Sequence, residues 1–182
     1  AKGRGVKQDY HQAIKWYQLA AEQDDESSQY ALGMMYSKGI GTEKDNGLAY
    51  LWFLKAAKQE NTNAEFKVAE MLHKGIGIEE DLIAAFEWYE KAAAKDHTLA
   101  QMKLAYMYGK GHGIKRNDTE AFLWFRKAAE QGHPKAQYNL GVIYAKGRGI
   151  TKDIDEAKKW YRLAAAQGDE HAEKALLRIC SE

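Results

Sequence analysis

The chain is predicted to be an all-α protein, an α-solenoid of five antiparallel helix pairs, and three observations predict it. A lysine-glycine motif recurs with a step of 36 residues, reading KGRGVKQD from Lys2, KGIGTEKD from Lys38, KGIGIEED from Lys74, KGHGIKRN from Lys110 and KGRGITKD from Lys146. Trp16, Trp52, Trp88, Trp124 and Trp160 keep the same step, as do the alanine pairs that follow them, from Ala20-Ala21 to Ala164-Ala165. Between the motifs, apolar residues return at i, i+3, i+4 and i+7, the spacing of one helix face rather than of a strand. A fixed period of this length marks a stacked array, in which each unit buries its apolar face against its neighbours.

Each unit opens on its glycine motif. An isolated G-x-G lacks the preceding strand and the longer spacing of a phosphate-gripping loop, so the motif is read as a turn. It leads to a residue suited to cap a helix N-terminus: Asp9, Asp45, Asp81, Asn117 or Asp153. Gln12, Glu120 and Glu156 stand three residues further on and are expected to complete capping boxes.

The first helix of repeat one should run from about residue 9 to about residue 23, roughly 22 Å at 1.5 Å per residue. Ala13, Trp16, Tyr17 and Ala20 share one face and form its expected core side. On that basis Trp88→Ala, in the middle repeat, should cost roughly 3 to 5 kcal/mol as a large-to-small core change. Tyr17, Phe53, Tyr89, Phe125 and Tyr161 also recur and are read as core, since a base-stacking surface would need a basic groove around them.

The second helix begins near Asp25, Asn61, His97, His133 or Asp169, with Pro134 placed where a first-turn proline is tolerated. Ala31, Leu32, Met35 and Tyr36 mark its apolar face in repeat one, and Ala136, Leu140 and Tyr144 mark it later. It ends at the lysine-glycine pair. Lysine suits the negative end of the helix, and glycine can adopt the left-handed cap conformation.

Composition narrows the function classes. Lys+Arg 27 against Asp+Glu 26 leaves a net charge of +1, which argues against nucleic acid or an anionic membrane as the main partner. No apolar run is long enough to span a bilayer. The single cysteine, Cys180, forbids an internal disulfide framework, lacks a positioned histidine, and is read as a small residue of the last repeat. His11, His73, His97, His112, His133 and His171 show no zinc-ligand spacing, and no G-x-S-x-G occurs. No cofactor, metal site or catalytic residue is expected.

The stretches GRGITKDIDEAKKWYRLAAAQGDEHAEKAL and GHGIKRNDTEAFLWFRKAAEQGHPKAQYNLGVIYAKG resemble Sel1-like repeats, a branch of the tetratricopeptide-type helical hairpins. The resemblance covers nearly the whole chain, as one repeat domain over 1–182 with repeats at 2–37, 38–73, 74–109, 110–145 and 146–181. It implies a right-handed superhelix whose first helices line a concave groove, and a role as adaptor, scaffold or inhibitor. It favours a bacterial periplasmic or secreted location, with the cytoplasm as the alternative. A related cysteine-rich group carries penicillin-binding and hydrolase associations, which do not transfer to a chain without those cysteines.

If the shared positions build the stack, specificity lies where the repeats differ. The face opposite Ala13 carries His11, Lys15, Gln18 and Glu22 in repeat one, a solvated set. In repeat two it carries Gly47, Leu51, Leu54 and Lys58, flanked by Leu48 and Lys55. Repeat three supplies Ile83, Glu87, Glu90 and Ala94, and repeat four Thr119, Leu123, Arg126 and Glu130 beside Lys127. An apolar centre with charged margins has the anatomy of an interface.

Leu48, Leu51, Leu54, Lys55, Glu87, Glu90, Leu123, Arg126 and Lys127 are therefore the candidate partner-binding residues. The competing explanation is that the leucines pack between first helices inside the array. The function expected is non-enzymatic binding of a protein or peptide in the concave groove, a toxic enzyme that it inhibits being one form, by a chain that is a monomer. The alternatives are a hydrolase acting on cell-wall or lactam substrates and a structural spacer of a longer repeat protein. Lys158, Leu177 and Cys180 depart from the repeat pattern as a terminal unit should, whereas repeat one shows no such adaptation.

Overall fold

The computed structural model describes residues 9–179, which form ten α-helices and, among the described residues, no strand. The first helices of the five repeats are α1 (Tyr10–Ala21), α3 (Asn46–Lys58), α5 (Leu82–Ala94), α7 (Asp118–Glu130) and α9 (Ile154–Ala165). The second helices are α2 (Glu26–Lys38), α4 (Thr62–Lys74), α6 (Thr98–Lys110), α8 (Pro134–Lys146) and α10 (Glu170–Ile179). The glycine motif of repeat one and Cys180 lie outside the described residues.

The helix starts follow from local hydrogen bonding. Asp45 accepts from the Leu48 amide at 2.9 Å, Asn117 from the Glu120 amide at 3.1 Å and Asp153 from the Glu156 amide at 2.9 Å. Asp25 and Asn61 cap the second helices in the same way, at 2.7 and 2.9 Å. At the equivalent position His97 uses Nδ1, 3.1 Å from the Ala100 amide. His133 makes no capping hydrogen bond, and Pro134 follows it at the head of α8.

The expected capping boxes do not close at Asn117 and Asp153. The Asn117 and Asp153 amides donate instead to the carbonyls of Tyr108 and Tyr144, each at 2.9 Å. Asp45 and Asp81 bond back to Tyr36 and Leu72 in the same manner. This bond spans the whole turn and ties each first helix to the last turn of the second helix before it. Glu156 pairs with Lys159.

The two glycines of the motif do different work. Gly39, Gly75, Gly111 and Gly147 sit at φ between 62° and 73°, and each closes its second helix in the left-handed conformation. The second glycine lies against the start of the preceding first helix: a Cβ on Gly77 would stand 2.4 Å from the Asn46 carbonyl. The turn therefore needs glycine for backbone conformation and again for close approach.

The chain divides into two compact units, one through Lys95 and the other from Asp96. In the first, α1 packs on α2, α2 on α3, α3 on α4 and α4 on α5. In the second, α6 through α10 pack successively in the same way. Contact between neighbours in sequence is what an array predicts.

Within each unit the core is made by Ala49, Ala85, Ala121 and Ala157 together with Phe53, Tyr89, Phe125 and Tyr161, all buried. The small residues allow close approach: a Cβ on Gly33 would meet the Phe53 ring at 2.5 Å. The tryptophans are not the core residues that the helix face suggested. Trp16 is 68% exposed, and Trp52, Trp88, Trp124 and Trp160 are only half-buried. Their indoles lie on the flank of the helix, where Trp52 packs against the cluster of Ile14, Ala21, Leu32 and Met35 from the preceding repeat.

A partly buried ladder of side-chain amides links successive helices. Gln59 Nε2 donates to Gln29 Oε1, Gln131 Nε2 to Gln101 Oε1 and Gln167 Nε2 to Gln137 Oε1, each at 2.9 Å. Gln29 and Gln137 then pass a hydrogen bond to the Ala21 and Ala129 carbonyls, at 3.2 and 3.3 Å. The two members of each pair lie 30 residues apart in the chain and join a second helix to the end of the next first helix. One rung differs: Glu65 and Lys95 replace the two glutamines, with Lys95 Nζ 2.9 Å from Glu65 Oε1.

Candidate functional site

The Asp45 cap fixes the start of α3, and burial of Ala49, Phe53, Ala56 and Ala57 fixes its rotation. At 100° per residue this turns Leu48, Leu51 and Lys58 away from the core and leaves Leu54 at its margin. Leu48 is 39% exposed and Leu51 53% exposed, whereas Leu54 is half-buried. With Trp52, Lys55 and Lys58 they line a groove of about 410 Å³ along α3. Lys55 lies over the Trp52 ring, its Nζ 4.3 Å from the centroid, a cation–π contact that leaves N–H donors exposed at the groove edge.

A second groove, about 510 Å³, opens where α3 ends against α4 and α5, and Lys58 lines both grooves. Trp88, Lys91, Ala94 and Lys95 form its wall. Lys91 Nζ stands 4.2 Å above the Trp88 ring. Lys95 donates both to Glu65 and, at 3.0 Å, to the Glu60 carbonyl, so its charge is engaged. Lys58 forms no ion pair among the described residues. Glu87 and Glu90 are exposed on α5 and line neither groove.

A wider hollow, about 760 Å³, opens on the KGIGIEED turn beside Tyr50, Glu79, Glu80 and Asp81. The Asp81 carboxylate is committed to capping α5, accepting from the Ile83 and Ala84 amides at 3.0 and 2.9 Å. Burial, assisted by that carboxylate, pushes the Tyr50 phenol above its ordinary value. This hollow offers a structural turn rather than a reactive group.

In the second unit Leu123 is 42% exposed on α7. Arg126 is already paired with Glu130 at 2.7 Å, and Lys127 lies 4.1 Å over the Trp124 ring. Arg126 is thus engaged on its own helix, whereas Lys127, like Lys55, is held over an indole with N–H donors left at the surface. Lys58, Lys91 and the indoles of Trp52 and Trp88 are surface features absent from the candidate residues that the repeat differences single out. The signal for Lys58 was legible, because Glu22 and Glu130 hold its position in repeats one and four.

Among the described residues no group of three or more His, Cys, Asp or Glu side chains could hold a metal ion, and no helix is long and apolar enough to cross a membrane. Serial packing of helices in antiparallel pairs within each unit defines a helical-repeat protein. The chain belongs to the Sel1 repeat family, whose model matches residues 1–25, 26–61, 62–97, 98–133 and 134–169. Those windows carry the same period, counted from a second helix instead of from the glycine motif.

Among solved structures, a protective antigen of uropathogenic Escherichia coli strains with an SLR fold is 35% identical at a TM-score of 0.95. The match covers 98% of this chain and 38% of that one. A Sel1 repeat protein from Oxalobacter formigenes is 36% identical at a TM-score of 0.86, over 92% of this chain and 66% of that one. The chain therefore spans less than two thirds of the length of both. An immunity protein from Pseudomonas aeruginosa shares the fold, at 18% identity and a TM-score of 0.56 over 94% of this chain and 63% of that one. No curated protein matches the chain significantly. Sel1 repeat proteins are generally protein-interaction modules, and typically non-catalytic ones.

Proposed function

We propose that the chain is a non-enzymatic adaptor, scaffold or inhibitor that takes a protein or peptide partner on the outer face of α3. The observation that carries this is the strip of Leu48, Leu51 and Leu54, which lines an open groove of about 410 Å³ on a helix whose opposite side is fully packed. A leucine side chain gains about 1.5 to 3 kcal/mol when it passes from water to full burial, so three leucines on one face favour association. Lys55 frames the strip, and Glu87 and Glu90, exposed on α5 outside the groove, are proposed as further contacts. Leu123, Arg126 and Lys127 are proposed as the contact surface of the second unit.

The test is affinity capture with the full chain beside a Leu51→Asp, Leu54→Asp variant. Retention of the wild-type circular dichroism spectrum establishes that the variant is folded. A partner bound by the wild type and lost from the folded variant supports the proposal. Equal capture by both excludes the α3 strip as the site.

A further inference from the structure

We infer that the segment received by α3 is acidic as well as apolar: a peptide stretch of a partner protein that sets leucine-like side chains on Leu48, Leu51 and Leu54 and carboxylates over the last turn of the helix. This deepens the proposal above and rests on it. Three observations converge. First, α3 contains no acidic residue, and the charged groups lining its groove are Lys55 and Lys58 alone. Second, Lys58 is shared with the adjoining groove, where Lys91 comes in from α5, so the apolar strip runs toward cations from two helices.

Third, the acidic groups nearby do not neutralise Lys58. Glu65 is engaged by Lys95, and Glu60 lies 3.9 Å from the same lysine. Lys55 and Lys91 are held over Trp52 and Trp88 at 4.3 and 4.2 Å, which fixes where their remaining donors point. Cations positioned in this way lose little freedom when a carboxylate arrives. An apolar segment without acidic groups would leave these ammonium groups partly desolvated and unpaired, and a basic segment would be repelled. The same position in repeat one is Glu22, so the preference belongs to repeat two and is not a property of the array.

The experiment is selection of random 16-residue peptides displayed on phage against the full chain, followed by fluorescence anisotropy with the labelled consensus peptide. The expected result is enrichment of leucine-type residues together with Asp or Glu, a roughly tenfold loss of affinity in Lys58→Glu, and partial recovery when the peptide's acidic residues are changed to lysine. Raising salt should weaken binding of the acidic peptide to the wild type. Apolar peptides that lose binding in Leu51→Asp but show no acidic preference and no response to Lys58→Glu overturn this inference while leaving the docking surface intact. Peptides enriched equally on wild type and folded Leu51→Asp, or no enrichment at all, overturn both.

Discussion

Lys95 Nζ donates to Glu65 Oε1 at 2.9 Å in the one rung of the ladder where two other residues replace a glutamine pair. Glu65 is buried, and its second oxygen has no hydrogen-bond partner. In repeats one and four the corresponding glutamine nitrogen donates to the carbonyl eight residues earlier. Glu65→Gln should therefore supply the missing donor, toward Ala57, and stabilise the chain by about 1 kcal/mol in urea denaturation. Lys95→Ala should destabilise by about 2 kcal/mol, below the usual cost of breaking a buried pair because Lys95 is partly exposed. Adding Glu65→Gln to Lys95→Ala should recover most of that loss. If Glu65→Gln lowers stability, the ion pair is worth more than the amide rung.

Trp88 and Tyr89 are adjacent, yet only Tyr89 is fully buried. Tyr89→Ala should cost about 3 to 5 kcal/mol, and Trp88→Ala about half as much. Comparison of their urea midpoints at unchanged slope decides between the flank position of the indole and the core position that helix periodicity suggested.

Gly77 and Gly132 both have positive φ, 73° and 85°, but a Cβ on Gly77 meets the Asn46 backbone while one on Gly132 meets nothing within 4 Å. Gly132→Ala should cost only backbone strain, about 1 kcal/mol. Gly77→Ala must also displace the start of α3 and should cost at least twice that. Thermal melts of the two variants measure the difference, and equal shifts would leave close approach without a role.

His133 holds an N-cap position without making the cap, and burial, followed by the charge of Lys135, lowers its pKa below the usual 6.5. A histidine harder to protonate when folded binds more protons unfolded, so its contribution is complete above the unfolded value and declines as pH falls through and below it. His133→Asn, the residue type that caps α4, should raise stability by about 1 kcal/mol at pH 7. The gain should grow between pH 7 and pH 5, which stability measurements across that window would show; a gain that shrinks on acidification contradicts the assignment.

The 36-residue period, the helix starts at aspartate and asparagine, the left-handed glycine stops and the buried Phe53-type ring were all determined by the sequence. Each depends on requirements met within a few residues: an amide to be capped, a φ that only glycine adopts freely, an aromatic ring facing small residues. The tertiary structure alone decided the rest. Trp16 and Tyr17 lie only 100° apart on their helix, so which becomes core depends on where neighbouring helices pack, and the tyrosine position won. The Asn117 and Asp153 amides went to carbonyls nine residues back because the packed turn brings those atoms together. Lys58 and Lys91, 33 residues apart in the chain, reached one groove through the packing of α3, α4 and α5. Local hydrogen bonds can be read from spacing, whereas burial and convergence of charge exist only once the helices have stacked.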